Sequence, residues 1–93
     1  MLSIGQAYQI VLRCIRAIAG RAEPAPDPHH TLEESGISTD DQLRLLKNRI
    51  VSELADDGFE FKKMSLDAIN QSSTVEDVAR LVSHAQVKGE RFY

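Results

Sequence analysis

Apolar residues recur at steps of three and four across residues 3–19. Ile4, Ala7, Val11, Cys14, Ile15 and Ile18 therefore share one face of a predicted α-helix. Ile10 and Leu12 fall beside that stripe, which predicts a helix gripped on a wide front, and Gly20 supplies its stop. Residues 20–37 read as a long loop. All three prolines, Pro24, Pro26 and Pro28, lie there, and each lacks an amide donor and restricts the residue before it. The loop is expected to end in a turn that sets Leu32 and Ile37 into the core.

A second helix is predicted over 38–57, with Ser38 as N-cap and Asp40 and Asp41 complementing the positive end of its dipole. Leu43, Leu46, Ile50 and Leu54 form its buried stripe with Val51 alongside, while Leu45 falls on the far side as an exposed apolar contact point. Phe59-Glu60-Phe61 alternates but is too short for a sheet strand, so it reads as an extended link covering the open end of the bundle. Residues 65–70 suit a short third helix. Ser73-Thr74-Val75-Glu76 has the form of a capping box and opens a last helix over 74–86, with Val75, Val78, Ala79, Val82 and Ala85 facing inward. Residues 87–93 read as a frayed tail. The expected fold is all-α: one domain over residues 1–93, an irregular four-helix bundle with a long loop after helix 1 and a short helix 3.

Composition narrows the functional classes. A net charge of −3 disfavours broad electrostatic binding to nucleic acid, which calls for a basic face. No apolar run is long enough to cross a bilayer. Arg13, Arg16 and Arg21 precede the first acid, Glu23, but the apolar run of this opening stretch is broken by Gln6, Gln9, Arg13 and Arg16. An amphipathic first helix in a cytoplasmic protein explains that stretch better than a targeting segment. Cys14 is the single cysteine and sits in an apolar stripe, as a small core residue would.

Several segments together resemble the acyl- and peptidyl-carrier fold, over roughly residues 4–86. Leu32 to Ile37 stands where that family has a Leu-x-x-x-Gly segment before helix 2. Gly58-Phe59-Glu60-Phe61 stands where it has a Gly-Ile-x-Ile segment, and Thr74-Val75-Glu76-Asp77 where it has Thr-Val-x-Asp. The resemblance implies a serine at the start of helix 2 carrying 4'-phosphopantetheine. Counting from Gly36 puts Thr39 at that place, the apolar stripe puts Asp40 there, and the Asp41-Gln42-Leu43 frame puts Gln42 there. Ser38 is close by, but it lacks the following leucine. The transferase that loads carriers needs a primary hydroxyl, and the extra methyl of Thr39 crowds the oxygen and stiffens χ1.

The expectation is therefore a carrier-like domain without a prosthetic arm. It would bind a protein partner, such as an acyl- or peptidyl-processing enzyme, through Asp40, Asp41, Arg44, Leu45 and Lys47, and would itself be a monomer. A divergent carrier bearing the arm on Ser38 or Thr39 is the alternative. Carriers usually present an acidic helix 2, whereas here Arg44, Lys47 and Arg49 interrupt the acids. Mixed charge of this kind tunes partner choice and encounter rate more than affinity.

Other chemistry finds little footing. His29, His30, His84 and Cys14 do not form the close-spaced pairs that a zinc site uses, so no metal is expected. There is no Gly-x-Ser-x-Gly nucleophile turn and no glycine-rich phosphate loop, so an independent enzyme is not expected. Residues 66–86 could imitate a helix-turn-helix, but Glu76 and Asp77 would then face phosphate.

Overall fold

The computed structural model describes residues 2–20 and 27–87. The predicted tail over 87–93 lies outside the described residues from 88 onward, as does the loop over 21–26. Among the described residues the chain forms three α-helices, one short 3-10 helix and a two-stranded ladder. In order these are α1 (Ile4–Ala19), α2 (Asp40–Asp56), β1 (Phe59–Glu60), the 3-10 helix (Lys63–Leu66), α3 (Val75–Val82) and β2 (Gln86–Val87).

Helix α1 is the centre of the fold and packs against both α2 and α3. That position explains the width of its buried front, since Ile10 and Leu12 are covered together with Ala7, Val11, Cys14 and Ile15. Ile4 departs from expectation. It keeps the helical period, but it opens the first turn and is 52% exposed. Ser3 caps α1 in a box with Gln6, and Gly20, at φ 70°, closes the other end by donating its N–H to the Arg16 carbonyl.

Helix α2 buries Leu43, Leu46, Ile50 and Leu54, leaves Val51 half-buried and exposes Leu45. Its N-cap is Thr39, where the sequence suggested Ser38. Gln42 explains the shift: it sits three residues after Thr39 and completes the reciprocal box. Helix α3 is also shifted, with Thr74 as N-cap and Asp77 as its partner, one residue beyond the expected Ser73–Glu76 box, while the Ser73 hydroxyl accepts the Asn70 N–H instead.

Segment 27–37 docks along 71–76. The N–H groups of Val75 and Glu76 donate to the carbonyls of His30 and Pro28, and those of Leu32 and Glu33 donate to Ser73 and Gln71. First-turn N–H groups have no partner within their own helix, so this loop supplies for α3 what the helix cannot. Thr31 and Glu34 make a further box inside the turn. Gly36, at φ 104°, lets the chain reverse so that the Ile37 N–H reaches the Leu32 carbonyl at 2.8 Å. Leu32 and Ile37 are thereby fully buried.

The C-terminal half differs most from expectation. The third helix, expected at 65–70, is a single 3-10 turn over Lys63–Leu66, followed by i→i+3 turns that bury Leu66 and Ile69. The last helix, expected to reach 86, stops at Val82. There the Ser83 hydroxyl donates to the Arg80 carbonyl, and tight turns carry the chain through buried Ala85. Gln86 and Val87 then pair antiparallel with Phe59 and Glu60, in the register Phe59↔Val87 and Glu60↔Gln86. The expected link is thus a strand, paired with Gln86, expected to end the last helix, and Val87, expected to begin the tail. The rings of Phe59 and Phe61 are half-buried against the core.

Candidate functional site

The site begins at Thr39, because that residue fixes where α2 starts and which side chains its first turn presents. Thr39 Oγ1 accepts the Gln42 N–H at 3.1 Å, while Gln42 Oε1 accepts the N–H groups of Ser38 at 3.0 Å and Thr39 at 3.2 Å. The Ser38 hydroxyl is exposed and lies 3.4 Å from the same Gln42 oxygen. Thr39 therefore spends its hydroxyl on the helix cap, whereas Ser38 presents a primary alcohol just outside it.

Asp40 and Asp41 occupy the first turn, where carboxylates complement the helix dipole. Asp40 accepts a bond from Gln71 Nε2 at 2.8 Å, which ties α2 to the turn before α3. Asp41 pairs with Arg44 on the surface of the same helix. Lys47 is half-buried. The five residues named as a docking set do not share one face. At about 100° per residue, Leu45 and Lys47 stand about 160° apart around the axis. Asp40, Arg44 and Lys47 lie toward the Gln71 side, and Asp41 and Leu45 toward solvent.

Leu45, 55% exposed, opens onto a groove of about 700 Å³ between α1 and α2. Ala17 and Ile18 of α1 give it an apolar wall, and Gln42, Arg49 and Glu53 of α2 line the facing side. Arg49 was outside the predicted set although it follows Leu45 at i+4, a spacing that could have signalled it. Ala17 and Ile18 could not be found that way, since only the packing of α1 on α2 brings them in.

The lower end of the groove is an electrostatic joint. Glu53, Asp56 and Asp57 stand at the negative end of the α2 dipole, which disfavours them. Arg13 of α1 offsets this by reaching Glu53 at 3.2 Å and Asp57 at 3.5 Å. The Cys14 thiol, fully buried, donates to the other Glu53 oxygen. Burial pushes this thiol well above the usual range, and the hydrogen bond and charge of Glu53 push the same way. A neutral thiol is a poor nucleophile, so Cys14 is a structural donor.

Of the remaining candidates, His30 accepts the Asp27 N–H through Nδ1. Among the described residues no group of three or more His, Cys, Asp or Glu side chains is placed to hold a metal ion. No helix among them is long and apolar enough to cross a membrane. No protein-family model, curated protein or solved structure matches the chain.

Proposed function

We propose that this chain is an acyl-carrier-like domain that docks onto a protein partner without carrying cargo. The observation behind this reading is the use of Thr39: the hydroxyl at the opening of α2 caps the helix through Gln42, and a secondary alcohol so engaged is a poor acceptor for a phosphopantetheine arm. Asp40 and Asp41 beside it add negative charge where an incoming diphosphate donor would have to approach. The residues at the cap itself fit the arm badly.

What α2 offers instead is surface. Leu45 and the apolar wall of Ala17 and Ile18 can take an apolar side chain, and Arg49 and Asp41, one turn either side of Leu45, select its neighbours by charge. The partner in this reading is an enzyme that transfers acyl or peptidyl groups, as the carrier-like order of segments suggests.

The test is capture of purified acyl- or peptidyl-transferring enzymes by this chain. Leu45→Glu should abolish capture, and Arg49→Glu should weaken it, with the fold intact by circular dichroism. Unchanged capture by both variants removes α2 as the docking surface. The alternative reading, a divergent carrier, is favoured by one observation: Ser38 is a primary alcohol left exposed just ahead of the cap. Ser38→Ala separates the two, since only a carrier loses its modification.

A further inference from the structure

We propose that α2 also pairs with α2 of a second copy of this chain, antiparallel, with the two Leu45 side chains meeting on the two-fold axis. Asp41, Leu45 and Arg49 follow one another at i, i+4 and i+8 and form one exposed ridge along α2. The ridge runs acid, apolar, base. Reversing a second copy about Leu45 brings residues equidistant from it into opposition. Asp41 then meets Arg49 twice.

Both of those pairs join opposite charges. A two-fold interface needs such a surface, because the same patch must recognise itself. A parallel copy would set Asp41 against Asp41 and Arg49 against Arg49, so charge selects the direction. Asp41 already pairs with Arg44 in its own helix, but that bond engages Oδ1 and a carboxylate can accept from more than one cation. Beside the ridge, the groove wall of Ala17 and Ile18 gives the opposing Leu45 apolar surface to cover.

The contact is small, one leucine and its flanks per copy, so pairing is weak and concentration-dependent. The monomer expected from the sequence is then the dilute form. Pairing covers the surface through which the domain is proposed to dock, so a partner and a second copy compete for it. The inference rests on α2 being a binding surface, not on the acyl or peptidyl nature of the partner.

Sedimentation of the full chain between roughly 10 µM and 1 mM tests it. A dimer should accumulate across that range. Asp41→Arg and Arg49→Asp should each weaken pairing by about tenfold or more. An equimolar mixture of the two should restore it, because one ridge then carries only bases and the other only acids. Leu45→Cys should form an intermolecular disulfide on mild oxidation, since buried Cys14 does not compete. A monomer throughout the range overturns the proposal, and so does a mixture that associates no better than either variant alone. If pairing fails while enzyme capture persists, only this inference falls; if capture fails while pairing persists, only the docking reading does.

Discussion

Thr39→Ala is the perturbation that most directly probes how α2 begins. The structure assigns Thr39 one local task, which is accepting the Gln42 N–H at 3.1 Å from outside the helix. Alanine leaves that N–H without its acceptor, although Gln42 can still reach back to the Ser38 and Thr39 N–H groups. Loss of a threonine cap costs about 1 kcal/mol, within a range of roughly 0.5–2. In a chain of this size that lowers the melting midpoint by about 4–8 °C.

Two controls sharpen the reading. Thr39→Asp keeps an acceptor at the cap and should stay within about 0.5 kcal/mol of the parent. Ser38→Ala removes a hydroxyl whose only described contact is 3.4 Å long, and should be nearly silent at about 0.3 kcal/mol or less. Urea denaturation, with the slope checked for constancy, measures all three. Should Ser38→Ala cost as much as Thr39→Ala, or Thr39→Ala cost nothing, the account of which residue opens α2 is wrong.

Other expectations follow from the same contacts. Leu46→Ala, at a 1% exposed core position, should cost about 2–5 kcal/mol in urea denaturation, whereas Leu45→Ala should stay within about 0.5 kcal/mol. Cys14 is held neutral by burial and then by Glu53, so folding is favoured while the unfolded thiol is also neutral. Above pH of about 8.5 the unfolded thiol ionises and stability should fall by about 1.4 kcal/mol per pH unit relative to Cys14→Ala. An identical pH dependence in the two proteins would refute this. At the acid end, the Thr31 N–H and hydroxyl hold the Glu34 carboxyl below its usual range. The 31–34 box should therefore persist as pH falls to the usual carboxylate value and loosen below it, followed by the Glu34 carboxyl chemical shift. Amide exchange should find Val75 and Glu76 protected despite their place in the first turn of α3, because the Pro28 and His30 carbonyls accept from them. Fast exchange there would mean that segment 27–37 does not hold α3.

What was legible in the chain was periodic. The buried stripe of α2 and the wide front of α1 follow from spacing alone, because a residue's face on a helix depends only on its number. Helix openings were legible to within one residue: two hydroxyl residues stand side by side at both 38–39 and 73–74, and in each pair the second is the cap. The ladder of Phe59–Glu60 with Gln86–Val87 was not legible, since neither segment has a strand pattern without the other. Nor was the Arg13–Glu53–Cys14 joint, which links positions far apart in the chain. Of the docking set, Leu45 was found because it broke the apolar period. Arg44 and Lys47 were grouped with it by charge, although the helix turns them to another side.

The claim at the centre of this account is that the opening turn of α2 has been given over to capping and docking. Intact-mass measurement after coexpression with a broad-specificity phosphopantetheinyl transferase tests it most directly. The account predicts the mass of the unmodified 93-residue chain. A gain of one phosphopantetheine that disappears in Ser38→Ala or in Thr39→Ala would contradict it.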